Sequence, residues 1–141
     1  MIQAALIANE NCSQERLAMT LRPRRTLLYM PGANARALEK ARGLNADGFI
    51  FDLEDAVAPD AKEMARAQVC NAVRDGGYRG RELVIRVNAL NTPWGAADVE
   101  AAAAVKPDAI LLPKVESKEH IQALAALIAV SYTHLTLPTS L

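Results

Sequence analysis

An arginine and a group of carboxylates follow two short apolar segments, and their types and spacing suit them for chemistry. Asp52, Glu54 and Asp55 stand within four residues directly after the apolar segment 48–51, and Arg86 directly follows a second one. A guanidinium stays charged and offers a planar fork of donors, so it binds carboxylates or stabilises an oxygen that gains charge. Clustered carboxylates repel one another unless a cation lies among them, and Mg²⁺ is a natural partner. An acidic loop that is only solvated is the plainer alternative.

The alternation of residue types around Arg86 predicts where its side chain points. Successive side chains of a strand face opposite sides, so Arg86 and Asn88 share one face while Leu83, Ile85 and Val87 share the other. The apolar face must pack against helices, which directs Arg86 to the opposite side. There it either binds a substrate or pairs with a carboxylate for structural reasons alone.

Four strand-then-helix units position these residues. The predicted strands cover, in chain order, 26–30, 48–51, 83–85 and 110–112. Helical patterns of about 10–17 residues separate them, which indicates βαβ units and a parallel sheet. Polar groups at the carboxyl ends of consecutive parallel strands are typical of a (β/α)8 barrel, which usually needs about 250 residues. We therefore predict an α/β fold, a TIM barrel of which this sequence supplies about four βα units.

Local signals predict where the helices begin and end. Asn34 is a good N-cap for a first helix over 35–42. Pro59 stands where a first-turn proline belongs, and it opens a helix that ends near Asp75, before two glycines.

The segments on either side of these units do not follow the pattern. Residues 1–22 are interpreted as an overextended start, with Met19 as the true first residue, or as a short helix packed under the barrel. Residues 23–129 form the amino-terminal half of the barrel. Residues 130–141 carry no acidic or basic side chain apart from one histidine and resemble translated adapter sequence, so we expect a non-native tail. An ordinary strand is the alternative, and in either case we expect the frame to stop before a fifth unit.

Composition argues against several classes of function. The 16 Lys and Arg residues balance the 16 Asp and Glu residues, which disfavours general binding to nucleic acid or to an anionic membrane. No apolar run reaches the about 18 residues that a membrane helix needs, and no signal peptide is visible. Cys12 and Cys70 lack metal-ligand spacing, and the sequence contains no dinucleotide or phosphate-loop fingerprint. We expect a cytoplasmic protein.

Two further pairs of charged residues are candidates for the site. Arg36 and Lys40 stand at i and i+4 on one side of the first helix, and Tyr29 ends the preceding strand. Such a pair suits a phosphate-bearing arm of a substrate, although two solvated helix charges are the plainer interpretation. Lys114 and Glu116 follow the fourth strand and share a face, so they either serve the site or pair with each other.

Taken together, four motifs resemble the HpcH/HpaI aldolase and citrate lyase family, and in particular its citrate lyase beta-subunit-like branch with malyl-CoA and citramalyl-CoA lyases. The motifs are RRTLLYMPG at 24–32, DLEDAV at 52–57, VIRVN at 84–88 and LPKVES at 112–117. The resemblance implies a Mg²⁺-dependent carbon–carbon lyase that performs a retro-Claisen or aldol-type cleavage. Its implied substrate is a 3-hydroxyacyl thioester of CoA or of acyl carrier protein (citryl-, malyl- or citramalyl-CoA), split into acetyl-CoA or a homologue and an oxo acid.

The resemblance also implies roles for individual residues. Arg86 matches the catalytic arginine of the third strand that contacts the substrate. The residues that hold the CoA portion match Tyr29, Arg36 and Lys40, with arginine replacing the family's lysine at position 36.

Glu54 and Asp55 match the metal region as outer-shell groups. The family's direct Mg²⁺ ligands come from strands five and six, which this chain does not reach. We therefore expect the chain alone to be inactive. The resemblance also implies that the full-length protein is a homo-oligomer, because barrels of this family commonly associate. The alternatives are a CoA-independent aldolase of 4-hydroxy-2-oxo acids and a non-catalytic half-barrel used in binding or assembly.

Overall fold

Alternating strands and helices make up the part of the chain that the computed structural model describes, which is residues 2–6 and 24–136, with side chains for residues 24–131. The strands are β1 (Ile2–Leu6), β2 (Leu27–Pro31), β3 (Gly48–Asp52), β4 (Glu82–Arg86) and β5 (Ala109–Val115). The helices are α1 (Ala35–Ala41), α2 (Lys62–Asp75), α3 (Gly95–Val105) and α4 (Lys118–Thr136).

The strands form one sheet in the order β1-β5-β4-β3-β2. The four strands β2 to β5 pair in parallel and in sequence order, with Tyr29 beside Ile50, Ile50 beside Val84, and Val84 beside Ala109. This confirms the four predicted strand-and-helix units and the parallel α/β sheet. The carboxyl ends of β2, β3 and β4 therefore lie next to one another, so the residues that follow these strands share one edge of the sheet.

Burial on the two faces of the sheet follows the two-residue period of the strands. Phe49, Phe51 and Ile85 belong to the core cluster that includes residues from all four helices. Ile50 and Val84 belong to a separate small cluster with two residues of β5. Because Arg86 has the same parity as Val84, it lies on the face opposite the helices, as the alternation predicts.

Predicted caps explain some of the helix ends. The Asn34 side-chain oxygen accepts a hydrogen bond from the Ala37 amide at 3.1 Å, which is the predicted N-cap of α1. Pro59 opens a short 3-10 turn (Pro59–Ala61) that leads directly into α2. The end of α1 depends on a long-range contact instead, because the Arg81 guanidinium donates to the carbonyls of residues 41, 42 and 44.

The segments outside the four units are partly described. Residues 2–6 form β1, which pairs antiparallel with β5, rather than a helix. The interpretation of residues 7–23, including Met19, lies outside the described residues. Residues 130–136 continue α4, so the strand alternative for this segment is wrong there, and residues 137–141 lie outside the described part.

Candidate active site

Arg86 and Asp52 meet at the carboxyl ends of β4 and β3, where they are direct partners in the parallel register. The Arg86 Nε donates to Asp52 Oδ1 at 2.8 Å, and Nη2 donates to Oδ2 at 2.7 Å. Asp52 is 2% exposed and Arg86 9%. Two parallel charge-assisted hydrogen bonds of this kind fix the plane of a guanidinium as well as its position. Arg86 is thus held rigidly at the end of its strand.

Hydrogen bonds keep this buried pair charged. Burial by itself raises the pKa of Asp52, but the hydrogen bonds from Arg86 and from the Glu54 and Ala56 amides outweigh it, so the pKa of this carboxyl lies below its usual range. The hydrogen bond to Asp52 raises the pKa of Arg86 further, against the opposing effect of burial. The site therefore contains a permanent, oriented cation.

One side of the Arg86 guanidinium keeps donors that Asp52 does not use. Nη1 lies 3.6 Å from Glu54 Oε1, and Nη2 lies 4.0 Å from Asp55 Oδ2, both longer than a hydrogen bond. Glu54 is buried, whereas the Asp55 side chain is 71% exposed. The Tyr29 ring, 48% exposed, lies over the guanidinium with its centroid 4.9 Å from Cζ. An oxygen of a bound anion can replace these longer contacts.

Lys114 approaches the same group from β5. Its Nζ lies 3.5 Å from Glu54 Oε2, so it pairs with Glu54 rather than with Glu116. The backbone of Lys114 has φ +54°, which is unusual for a residue within a strand. Glu54 consequently stands between two cations, Arg86 and Lys114. Lys114 also lines a cleft of about 430 Å³, together with Glu116 and His120.

Arg36 and Lys40 remain apart from these contacts. Both side chains are exposed on α1, and neither forms an ion pair with a described residue. Their suggested role in holding CoA stays a prediction.

The prediction that Asn88 shares a face with Arg86 is wrong. Its side chain donates to the Leu53 carbonyl at 2.9 Å and to Asp98 Oδ2 at 2.6 Å, so it points toward α3 and not along the face of Arg86. The physical reason is that β4 ends at Arg86, and the two-residue alternation does not extend past the strand.

Sequence reasoning missed a buried polar group behind the acidic loop. Asp98 is fully buried and accepts hydrogen bonds from Asn88 and from Arg66 Nε, the latter at 2.7 Å. Lys62 is buried as well and donates to two loop carbonyls. Asp98 is one of two acidic residues in an alanine-rich helix, and it could have drawn attention because a charge on the buried face of such a helix needs a partner. No spacing in the sequence points to Lys62.

The described residues do not form a direct metal site. Among them there is no group of three or more His, Cys, Asp or Glu side chains arranged to hold a metal ion. Asp52 is committed to Arg86, and Glu54 lies between two cations. The exposed Asp55 suits a contact with metal-bound water better than it suits direct ligation by itself. No helix in the described ranges is long and apolar enough to cross a membrane.

Parallel strands covered by helices on one face, with a fixed arginine at their carboxyl ends, define half of a βα-barrel site. The chain belongs to the HpcH/HpaI aldolase/citrate lyase family, whose family model matches residues 25–135. This confirms the family predicted from the four sequence motifs.

The chain is similar to proteins of this family that carry two different names. The chain is 50% identical over 112 residues to a (3S)-malyl-CoA thioesterase from Cereibacter sphaeroides strain KD131, a match that covers 79% of this chain and 39% of that protein. It is 40% identical over 100 residues to citrate lyase subunit beta from Escherichia coli K12, covering 71% and 33%. The chain thus spans well under half the length of these relatives.

Solved structures agree with the fold. A citrate lyase beta subunit from M. tuberculosis, complexed with oxaloacetate and magnesium, matches with a TM-score of 0.53 and 32% identity over 72% of this chain and 45% of that one. A Haloferax volcanii malate synthase with magnesium and glyoxylate matches with a TM-score of 0.67 over 78% of this chain and 38% of that one. Its 19% identity supports the fold alone.

Proposed function

We propose that this chain forms the amino-terminal half of the active site of a carbon–carbon lyase that acts on a 3-hydroxyacyl-CoA thioester. Citryl-, malyl- and citramalyl-CoA are the proposed substrates. The observation that carries the proposal is the Arg86 guanidinium, which is fixed by Asp52 on one side and keeps donors on the other. Such a group suits an oxygen whose negative charge grows during cleavage, because its donors are oriented before the reaction begins.

The proposed reaction breaks the bond between carbons 2 and 3 of the acyl chain. The hydroxyl on carbon 3 loses its proton and becomes a carbonyl, while the bonding electrons form an enolate that the thioester stabilises. Protonation of that enolate at carbon 2 gives acetyl-CoA or a homologue. Arg86 would hold an oxygen of the fragment that becomes the oxo acid. Tyr29 would contact the CoA portion through its ring, and Arg36 and Lys40 would bind the CoA phosphates through their positive charges.

The proposal includes Mg²⁺, which the M. tuberculosis beta subunit binds together with oxaloacetate. When bound, the ion supplies Lewis-acid polarisation of the carbonyl oxygen that forms. Glu54 and Asp55 would orient water around it, because their positions beside Arg86 suit outer-shell contacts. The direct ligands would come from outside the described residues, and we accordingly expect the 141-residue chain alone to be inactive.

Thioester hydrolysis is a second candidate, favoured by the name of the Cereibacter sphaeroides relative at 50% identity. In that reaction water attacks the thioester carbonyl and the CoA thiol leaves, so the carbon chain stays intact. An aldolase acting on free 4-hydroxy-2-oxo acids is a third, because the family includes aldolases by name.

A chimera separates these functions. Residues 24–129 replace the matching segment of the Cereibacter sphaeroides relative, and the purified chimera is incubated with malyl-CoA and Mg²⁺. We expect acetyl-CoA and glyoxylate, and no product after addition of EDTA, with products separated by chromatography. If malate and free CoA are the sole products, the lyase proposal is wrong and thioester hydrolysis takes its place. Turnover by the 141-residue chain alone would contradict the inactivity that we expect of it.

Variants of the chimera test the proposed residues in the same assay. Arg86→Lys keeps the charge but loses the fork, so we expect the rate to fall by about 10²–10³-fold. Arg36→Glu combined with Lys40→Glu should raise KM for the CoA thioester. An unchanged KM, together with turnover of free 4-hydroxy-2-oxo acids, would favour the aldolase.

A further inference from the structure

Lys62 is a buried lysine whose ammonium group is directed at the backbone of the acidic loop. It is the first residue of α2 and only 6% exposed. Its Nζ donates to the Leu53 carbonyl at 3.0 Å and to the Glu54 carbonyl at 2.6 Å. The Trp94 ring covers the ammonium, with its centroid 5.4 Å away. Lys62 therefore contacts two consecutive peptide groups of the segment that carries the carboxylates of the candidate site.

The charge on Lys62 has no direct carboxylate partner among the described residues. Burial lowers its pKa, and the nearby charges of Asp52, Asp98, Glu54 and Asp55 oppose that effect without a close ion pair. A buried ammonium without a salt bridge is expensive, and an apolar side chain of similar size would fill the space at lower cost. The burial of Lys62 is therefore better explained by the two carbonyls that its ammonium group binds than by the packing of its side chain.

Both carbonyls that Lys62 contacts have a second donor. The Asn88 side chain donates to the Leu53 carbonyl at 2.9 Å, and the Val57 amide donates to the Glu54 carbonyl at 3.1 Å. Lys62 thus completes the hydrogen bonding of both oxygens. It fixes the orientation of the peptide groups on either side of the Glu54 Cα, and this orientation determines where the Glu54 side chain projects.

We propose that Lys62 is a positioning residue that anchors the loop 53–57 and thereby holds Glu54 between Arg86 and Lys114. Its consequence for catalysis rests on the proposed lyase function, whereas the anchoring itself does not. Lys62 lies buried on α2, whereas Arg36 and Lys40 are exposed on α1, so we expect its replacement to affect the chemical step and not the binding of the CoA phosphates.

The anchoring is tested by amide hydrogen exchange on the full 141-residue chain. In Lys62→Met we expect the amides of residues 53–57 to exchange about tenfold faster, because the loop loses two hydrogen bonds. The denaturation midpoint should change little, since removal of the buried charge offsets the lost bonds. Lys118→Met is the matched control, because Lys118 is likewise the first residue of its helix but is exposed.

Two outcomes would overturn the anchoring. One is unchanged exchange at residues 53–57, and the other is equal acceleration throughout β3 and β4, which would make Lys62 a general stabiliser. Should Lys62→Met fail to fold, the wild-type chain provides the measurement. Its Lys62 ammonium protons should exchange slowly in ¹⁵N-detected NMR, and exchange as fast as that of Lys118 would overturn the proposal.

The catalytic consequence is measured in the chimera. Lys62→Met should lower kcat by about 10-fold or more and leave KM for the thioester within about twofold. The reason is that the substitution displaces the loop beside Arg86, where the reaction is proposed to occur, and leaves the proposed CoA-binding residues in place. An unchanged kcat alongside faster loop exchange would overturn the positioning role. An inactive parent chimera would instead count against the lyase function and leave the exchange result to decide the anchoring.

Discussion

At the scale of single residues, the Arg86–Asp52 pair serves structure and chemistry together. Sequence spacing left open whether Arg86 binds substrate or pairs with a carboxylate for structural reasons. The structure shows the pairing, which occupies Nε and one hydrogen of Nη2. Nη1 keeps its donors directed toward Glu54 at a distance too long for a hydrogen bond. The pair therefore does not exclude the proposed substrate role, and it supplies the rigidity that such a role needs.

Replacing one member of this pair should reveal its contribution to stability. In Asp52→Asn we expect the free energy of unfolding to fall by about 3 kcal/mol, because a buried guanidinium loses its counter-charge. Since the pKa of Asp52 is lowered in the folded state, its stabilisation is present above the unfolded-state value of about 4 and is lost as the pH falls below it. Urea denaturation between acidic and neutral pH should show this loss in the wild type and a flatter profile in the variant.

Asp75→Asn is the matched control for this measurement. Asp75 is an exposed carboxylate at the end of α2, so its replacement should leave both the stability and the pH profile close to those of the wild type. Equal effects of the two substitutions would contradict the stabilising role given to the buried pair.

At the scale of secondary-structure elements, the turn between β2 and α1 is packed directly against β3 and α2. The Gly32 amide donates to the Asp52 carbonyl at 2.9 Å, and its own carbonyl accepts from Gln68 Nε2 at 3.0 Å. A Cβ at position 32 would lie 2.7 Å from the Asp52 carbonyl oxygen and 2.9 Å from Val69 Cγ2. Only glycine allows this approach, which links the start of α1 to the end of the strand that carries Asp52.

Gly32→Ala should therefore be destabilising. We expect a loss of about 1–3 kcal/mol in the free energy of unfolding, because backbone and side-chain atoms must move to admit the methyl group. Gly43→Ala is the control. Its nearest neighbour would be 3.7 Å away, and the substitution should be neutral or slightly stabilising. Chemical denaturation of the two variants decides the point, and equal midpoints would contradict the packing argument.

At the scale of the whole molecule, the described sheet has edges where a closed barrel has none. In a (β/α)8 barrel the outer edge of the fourth strand pairs in parallel with the next strand. Here β1 occupies that edge of β5 in an antiparallel arrangement, with Ala5 beside Leu111 and Leu6 beside Ile110. An uncovered edge of this kind offers unpaired backbone groups to another chain. β1 thus protects β5 from intermolecular pairing.

Deletion of residues 1–6 should uncover this edge. We expect greater self-association in sedimentation velocity and faster amide exchange in β5, while exchange in the internal strand β3 stays unchanged. Replacement of residues 1–6 by a glycine–serine segment of equal length controls for chain length and should behave like the deletion. Unchanged sedimentation and exchange in both variants would contradict the protective role of β1.

The sequence by itself determined the order and type of the four strand–helix units, because apolar periodicity and the local signals at Asn34 and Pro59 depend only on near neighbours. It also determined the family, through four motifs in order, and the side of the sheet on which Arg86 lies, because alternation is a local property of a strand.

Tertiary structure alone decided which partners these residues have. Lys114 pairs with Glu54 and not with its neighbour Glu116, Asn88 turns toward Asp98, and Lys62 reaches back to the loop. Such contacts depend on strand register, on where each strand ends and on which helix lies behind the loop. These features arise from packing between residues far apart in the sequence, and no short stretch of sequence encodes them.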